Sequence, residues 1–205
     1  FAEELGLDVA KFKADFDKPE FGKMIEDDKA LGNKLGVRGT PHFFINGVRL
    51  SGAQPIDKFE EIFVAQRDAA KKMGGTTYYK DLVKQNFKAA EPPQAKKPAG
   101  STVQMVPVND VDAMKNADGD YLVTVVEFSD YQCPFCDRGA NTLKELYQKY
   151  PEDVRIVFKN YPLPFHQEAP AASRAALAAG EQGKYWEMHD KLFANFKNFK
   201  ANASD

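Results

Sequence analysis

The most distinctive hydrophobic pattern in the chain is the apolar run Leu122–Val126, which only Thr124 interrupts. Short runs of apolar and β-branched residues are typical of a strand that is buried on both faces of a sheet. Polar residues end the run and lead into a CPFC motif at residues 133–136, after which apolar residues recur at helical spacing. The pattern therefore predicts a buried strand, a short loop and a helix that begins at Pro134, a position where proline is favoured.

Further elements are predicted around this unit. After it, Val154–Lys159 is a second buried-type strand, and Gln167–Gly180 and Lys184–Phe196 have the spacing of helices. Before it, Val103–Val108 is predicted to be a short edge strand. The C-terminal part of the chain thus has strands and helices but no closing hairpin.

The N-terminal part shows a different series of elements. They are a helix that has Asp8 as its N-cap and runs to Phe16, a helix from Pro19 to Leu35, the strands His42–Ile45 and Val48–Leu50, a helix from Pro55 to Met73 and a helix Thr76–Lys88. Asn46-Gly47 between the two strands is a strong signal for a two-residue hairpin turn. This part has a hairpin but no cysteine.

The two parts are joined by a segment with the composition of a linker. Residues 89–101, AAEPPQAKKPAGS, are rich in Pro, Ala and Lys and include no large apolar residue. We therefore divide the chain into residues 1–90, a linker at 91–101 and residues 102–205. Placing the last segment before the first gives an α/β thioredoxin fold with a helical insertion. Such a fold is circularly permuted or assembled from two half-domains, within one chain or in a domain-swapped dimer.

The CPFC motif is the main candidate for chemistry. A thiol at a helix N-terminus faces unpaired backbone N–H groups and the positive end of the helix dipole, which stabilise its thiolate. Cys133 is the more exposed position and the expected nucleophile, and Cys136 is placed to resolve a mixed disulfide. The alternatives are an inert structural disulfide and a zinc half-site. Only His42, His166 and His189 could complete a zinc site, and none is paired at ligand spacing.

Composition limits the classes of function. The chain has 205 residues, of which 43% are hydrophobic and 28% charged, and a net charge of −2 gives no sign of a nucleic-acid partner. No apolar run approaches the length of a membrane span. The chain begins at Phe1 without a signal segment, so we expect a processed product, an excised piece or an expressed segment of a longer protein.

Four blocks of sequence resemble the DsbA-like thiol–disulfide oxidoreductases, which are bacterial thioredoxin-fold proteins. The blocks are EFSDYQCPFC, FKNYPLPFH, AALAAGEQGKYWEMHDKLF and LGVRGTPHFFINGVRLSGAQP. In that family the Gly-Thr-Pro hairpin block follows the CxxC block, whereas here it precedes it. The chain is therefore a circular permutant, or a fragment that spans the end of one such domain and the start of the next. The resemblance also implies a periplasmic or otherwise exported protein, and the chemistry needs no cofactor.

The resemblance assigns roles to individual residues. Cys133 is the nucleophile, and Cys136 resolves the mixed disulfide. Pro41 is the cis-proline that faces the cysteines, and Thr40 is a residue that tunes them. The backbone beside such a proline is suited to hold an extended substrate by main-chain hydrogen bonds.

Two charged residues, Glu127 and Lys159, end the predicted central strands. A lone buried charge is costly, so we expect the two side chains to pair with each other. The resemblance implies that such a pair lies beneath the active site, where it can relay protons and shift the cysteine pKa. The alternative is two strand-end residues that reach water.

The remaining candidates have mainly structural interpretations. His166 and His189 are expected to be structural, and Trp186 is expected to lie in the core. Three phenylalanines could form an apolar rim for peptide binding, although core packing explains the first two equally well: Phe43, Phe44 and Phe165.

The expected function is disulfide exchange with protein or peptide substrates that carry cysteine thiols, with the chain acting as an oxidase. Isomerase or reductase activity stays open, because the redox potential and a redox partner of unknown identity set the direction. The competing class is a peptide-binding thioredoxin-fold module with incidental redox activity. A third interpretation is a swapped assembly or a proteolytic product without activity of its own.

Overall fold

A computed structural model describes residues 1–75, 103–109 and 111–197. The strands are β1 (His42–Ile45), β2 (Val48–Ser51), β3 (Ala113–Lys115), β4 (Val123–Ser129) and β5 (Val154–Asn160). The α-helices are α1 (Val9–Phe16), α2 (Pro19–Lys34), α3 (Ile56–Lys72), α4 (Pro134–Lys149), α5 (Ala169–Gly180) and α6 (Tyr185–Ala194), and a 3-10 turn spans Glu3–Leu5. Where the structure describes a predicted element, these bounds confirm it to within a few residues, apart from one strand.

The five strands form one sheet in the order β2-β1-β4-β5-β3. Strand β4 lies at the centre, antiparallel to β1 and parallel to β5. Because β1 and β2 come from the N-terminal half and the other three strands from the C-terminal half, the two halves complete one sheet within a single chain. The predicted α/β thioredoxin-like fold, with its halves in split order, is confirmed.

The predicted edge strand Val103–Val108 is wrong. Residues 103–109 form neither strand nor helix, and the edge position beside β5 is taken by β3. Gln104 donates its backbone N–H to the Gly47 carbonyl at 2.8 Å, so the segment runs past the β1–β2 hairpin. Pro107 has no N–H to donate, which is one reason why a ladder does not extend through this segment.

The hairpin turn is fixed by its own residues and by β4. Asn46 and Gly47 have φ angles of 44° and 84°, as a type I′ turn requires. The Asn46 side chain accepts a hydrogen bond from the Thr124 N–H at 2.8 Å and donates one to the Leu122 carbonyl at 3.2 Å. The turn therefore locks β1, and the loop that precedes it, against the central strand.

Helices cover both faces of the sheet. One face packs against α3 and α4 through a cluster of buried residues: Phe43, Ile45, Phe59, Phe63, Val123, Val125, Leu143, Leu146, Val154 and Ile156. The other face carries a second cluster: Val37, Phe44, Val106, Val126, Phe128, Val157 and Tyr161. Phe43 and Phe44 are thus core residues on opposite faces, and their interpretation as a peptide-binding rim is wrong.

Some predictions concern residues that the structure does not describe. The helix Thr76–Lys88 and the linker at residues 91–101 both involve such residues. Within the described ranges, no helix combines the length and the apolarity that crossing a membrane requires.

Candidate active site

The CPFC motif lies where β4 meets α4. Cys133 is the N-cap residue of α4, with extended backbone angles, and Pro134 is the first helical residue. Cys136 lies one turn inside the helix and is fully buried, whereas Cys133 is 4% exposed. Both residues carry free thiols. The predicted strand–CxxC–helix arrangement is therefore present, with Cys133 nearer to the surface.

The surroundings of Cys133 favour its thiolate. Hydrogen bonding with the Cys136 thiol lowers the pKa of Cys133 to about 6, although burial opposes the shift. Contact with Thr40 and the backbone N–H groups of Cys136 and Phe135 lowers this pKa further. The backbone donors are the unpaired groups at the start of the helix. Cys133 is thus a thiolate over much of the neutral pH range.

Cys136 has the opposite electrostatics. Burial raises the pKa of the Cys136 thiol far above its ordinary value, and the neighbouring Cys133 raises it further. The Asp130 backbone N–H donates a hydrogen bond to Cys136 Sγ at 3.4 Å, and the Ser129 hydroxyl lies beside it. Cys136 therefore keeps its proton while Cys133 is a thiolate.

The loop before β1 closes the site from the N-terminal half. The Thr40–Pro41 peptide bond is cis, as the sequence analysis expects. The Thr40 carbonyl lies 3.6 Å from Cys133 Sγ. Helix α4 can approach this loop because residue 139 is glycine: a Cβ there would come 3.1 Å from Pro41 Cγ. The sheet thus brings Thr40 and Pro41 to the cysteines from the other end of the sequence.

Glu127 lies on β4 beneath the motif and is 1% exposed. Burial raises its pKa to about 8, and contact with the Ser129 hydroxyl opposes this shift only in part. Among the described residues, Glu127 Oε1 has no hydrogen-bond partner. Ser129 also lies near Cys136 and acts to lower its pKa, so the Ser129 hydroxyl is close to both groups, although its Oγ has no hydrogen-bond partner among the described residues.

The predicted pairing of Glu127 with Lys159 is wrong. Glu127 is in register with Phe158, and Phe128 is in register with Lys159. Neighbouring side chains along a strand point to opposite faces, so Glu127 and Lys159 lie on different sides of the sheet. Lys159 Nζ instead pairs with Asp112 at 2.5 Å and Asp28 at 3.1 Å. The structure therefore separates Lys159 from the site.

The histidines have different partners. His42 Nδ1 lies 3.2 Å from Ser51 Oγ, and burial lowers the pKa of His42 to about 4. His189 is buried beside the Trp186 ring. In the part of the chain that the structure describes, no group of three or more His, Cys, Asp and Glu side chains is arranged to hold a metal ion.

His166 and Asp130 form a contact that the sequence analysis did not anticipate. His166 Nδ1 lies 2.8 Å from Oδ2 of Asp130, whose side chain is fully buried. An Asp side chain often accepts a hydrogen bond from the backbone N–H two residues further along the chain and so forms a local turn. Here the Asp130 carboxylate accepts the Gln132 N–H at 2.7 Å. This signal could have drawn attention to Asp130.

Family models match two segments of the chain. Residues 1–64 match the DSBA-like thioredoxin domain, and residues 118–205 match the model described as Thioredoxin. The first segment carries the Thr40–Pro41 loop, and the second carries the CPFC motif, so both parts of the site fall in matched segments.

Curated relatives match a shorter part of the chain. A protein of Salinispora tropica named Na(+)/H(+) antiporter NhaA 3 is 46% identical over 74 residues, 36% of this chain and 11% of the relative. A protein of Mycolicibacterium vanbaalenii named Na(+)/H(+) antiporter NhaA 1 is 39% identical over 75 residues, which are 36% of this chain and 12% of the relative. The match thus spans about a tenth of the length of these relatives.

Proposed function

We propose that this chain, whose residues 1–64 and 118–205 belong to the thioredoxin superfamily in its DsbA-like form, exchanges disulfides with protein thiols through Cys133 and Cys136. The superfamily segments support the thiol–disulfide oxidoreductase type. The opposed electrostatics of the two cysteines carry the proposal: the pKa of Cys133 is lowered to about 6, and burial raises that of Cys136. Cys133 can thus act as an attacking or leaving thiolate, whereas Cys136 stays protonated.

The proposed reaction begins with the Cys133–Cys136 disulfide. A substrate thiolate attacks Cys133 Sγ, a substrate–Cys133 disulfide forms, and the Cys133–Cys136 bond breaks with both electrons going to Cys136, which takes up a proton. A second substrate thiolate then attacks the substrate sulfur of the mixed disulfide and releases Cys133 as a thiolate. Two substrate thiols are oxidised to one disulfide, and the enzyme disulfide is reduced to the dithiol.

Glu127 is the proposed proton partner of Cys136. Its pKa of about 8 lets the carboxyl hold or release a proton near neutral pH, and Ser129 lies near enough to both groups to affect their pKa values. General acid–base groups work best when their pKa lies near the working pH. Glu127 would supply a proton to Cys136 when the Cys133–Cys136 bond breaks. It would accept the proton of Cys136 when this thiol attacks Cys133 Sγ of the mixed disulfide.

The same pKa of Cys133 supports the oxidase direction. A thiolate stabilised in the reduced form makes the disulfide easier to reduce, so the oxidised protein is a better donor of disulfides. The Thr40 carbonyl beside Cys133 is an acceptor for the backbone of an extended substrate. We further propose that the substrate is a cysteine-containing protein and that this protein is periplasmic or otherwise exported.

Trapping of the mixed disulfide tests this function. Cys136→Ser protein is activated at Cys133 with a small disulfide and mixed with a reduced, unfolded protein that has a single cysteine. We expect a covalent complex that maps to Cys133, is released by reductant and accumulates because no resolving thiol is present.

Cys133→Ser protein serves as the matched control, since it keeps one cysteine in the same motif. It should form little complex, because the remaining thiol is buried and protonated. Equal complex formation by the two variants, or none by either, would contradict the proposal.

A further inference from the structure

Asp130 connects the loop before the CPFC motif with the loop after β5. Its carboxylate accepts hydrogen bonds from the backbone N–H groups of Gln132 and Leu163, each at 2.7 Å. His166 Nδ1, at 2.8 Å from Oδ2, supplies the third contact. A buried carboxylate needs such donors to offset its lost hydration.

The backbone of Asp130 contacts both cysteines. Its carbonyl accepts the Cys133 N–H at 3.1 Å, and its N–H donates to Cys136 Sγ at 3.4 Å. The orientation of Asp130 therefore determines the position of the N–H that donates to Cys136 Sγ and the position of Cys133, the N-cap residue of α4.

We propose that His166 is a positioning residue for the cysteine pair: its ring fixes the Asp130 carboxylate, and thereby the backbone groups that Asp130 directs at Cys133 and Cys136. The inference rests on the proposed function, because it assigns to His166 an influence on the same disulfide exchange. His166 contacts no sulfur in this arrangement and acts only through Asp130.

The two loops have further contacts that make this coupling rigid. Gln132 Oε1 accepts the N–H groups of Glu168 and Ala169 at 2.7 and 2.9 Å, and the Tyr161 N–H donates to the Ser129 carbonyl at 2.8 Å. His166 lies between these contacts and is 20% exposed. The hydrogen bond of the His166 ring is thus the side-chain link between this loop and Asp130. Because His166 is partly exposed, this link can be removed by substitution.

Two physical effects of removing the ring act in the same direction. A less firmly held Asp130 N–H polarises the Cys136 thiol less, which weakens the hydrogen bond from Cys136 to the Cys133 thiolate. The Asp130 carboxylate also keeps more uncompensated negative charge near Cys133, which disfavours a thiolate. Both effects should raise the Cys133 pKa and shift the glutathione equilibrium towards the oxidised protein.

The experiment compares His166→Leu, which cannot donate, with His166→Asn, whose amide nitrogen can take the place of Nδ1. Gln167→Ala is the matched control, an exposed polar neighbour in the same loop. For each protein, the Cys133 pKa is measured by thiolate absorbance, the redox equilibrium by titration with glutathione, and the unfolding free energy in both redox states.

We expect His166→Leu to raise the Cys133 pKa by about one unit and to shift the glutathione equilibrium about tenfold, and His166→Asn to restore most of both changes. The variant should destabilise the reduced form more than the oxidised form, whereas a purely structural role would destabilise both equally. If His166→Leu does not fold, His166→Ala, which also cannot donate, replaces it.

An unchanged pKa and glutathione equilibrium in the non-donating variant would overturn the inference, as would equal behaviour of the Leu and Asn variants. Failure of the proposed function would look different. In that case the wild-type protein itself would show no redox transition with glutathione.

Discussion

Replacing Glu127 by glutamine should make the protein more stable, by an amount that grows with pH. The carboxyl is buried, and its Oε1 has no hydrogen-bond partner among the described residues. Burial raises its pKa from 4.5 to about 8. The folded protein therefore holds this proton between those two pH values while the unfolded chain has lost it. The contribution of this carboxyl to the unfolding free energy is fully present below pH 4.5 and is lost progressively as the pH rises through 8.

The magnitude follows from the two pKa values. From pH 4.5 to 7, the interval of 7 − 4.5 = 2.5 units corresponds to about 3 kcal/mol, at about 1.4 kcal/mol per unit. Glutamine has nearly the same shape and does not ionise. The difference in unfolding free energy between Glu127→Gln and the wild type should thus grow by about 3 kcal/mol over this range in favour of the variant.

Denaturant unfolding of both proteins at several pH values measures this difference. Glu145→Gln is a suitable control, because Glu145 lies on α4 with a side chain that is 52% exposed. The control should give no comparable pH-dependent gain. A stability difference between Glu127→Gln and the wild type that stays constant from pH 4.5 to 8 would show that folding does not raise the pKa of Glu127.

Three further predictions concern other parts of the molecule. Cys133 should react with iodoacetamide at a rate that is half-maximal near pH 6, and an apparent pKa of about 8.5 would contradict this. Lys159→Met should cost about 3–5 kcal/mol in unfolding free energy at neutral pH, because Asp28 and Asp112 lose their buried cation, and a loss below about 1 kcal/mol would count against it. The pKa of Cys133 should not change in the Lys159→Met variant. Gly47→Ala should cost at least about 1 kcal/mol in denaturant unfolding, because φ is +84° and a Cβ would lie 2.6 Å from Val103 Cγ1; an unchanged stability would show that residues 103–109 do not pack on the hairpin.

The sequence was sufficient to predict the closure of the sheet and the order of the described elements, apart from the edge strand, which is Ala113–Lys115 and not Val103–Val108. These predictions rest on local signals that the structure confirms, such as the Asp8 side chain that accepts the Lys11 N–H and the Asn46-Gly47 turn. The two cysteines and the Thr40–Pro41 loop were also predicted to meet, because closing the sheet places β1 beside β4.

The predictions that failed depend on register and on contacts between distant segments. Glu127 and Lys159 both end apolar strands, but a parallel register places them on opposite faces, and nothing in the local sequence determines that register. The true partners of Lys159 come from α2 and from the turn before β3. The His166–Asp130 contact was missed for the same reason, since it joins two loops that only the fold brings together.

The redox potential of the Cys133–Cys136 pair is the direct test of the proposed disulfide exchange. The 205-residue chain is equilibrated with defined ratios of reduced and oxidised glutathione, and the fraction of protein disulfide is measured after acid quenching. With the pKa of Cys133 lowered to about 6, we expect one two-electron transition with a midpoint between about −200 and −120 mV. The absence of a transition, or a midpoint near the value of about −270 mV that is typical of a reductase, would contradict it.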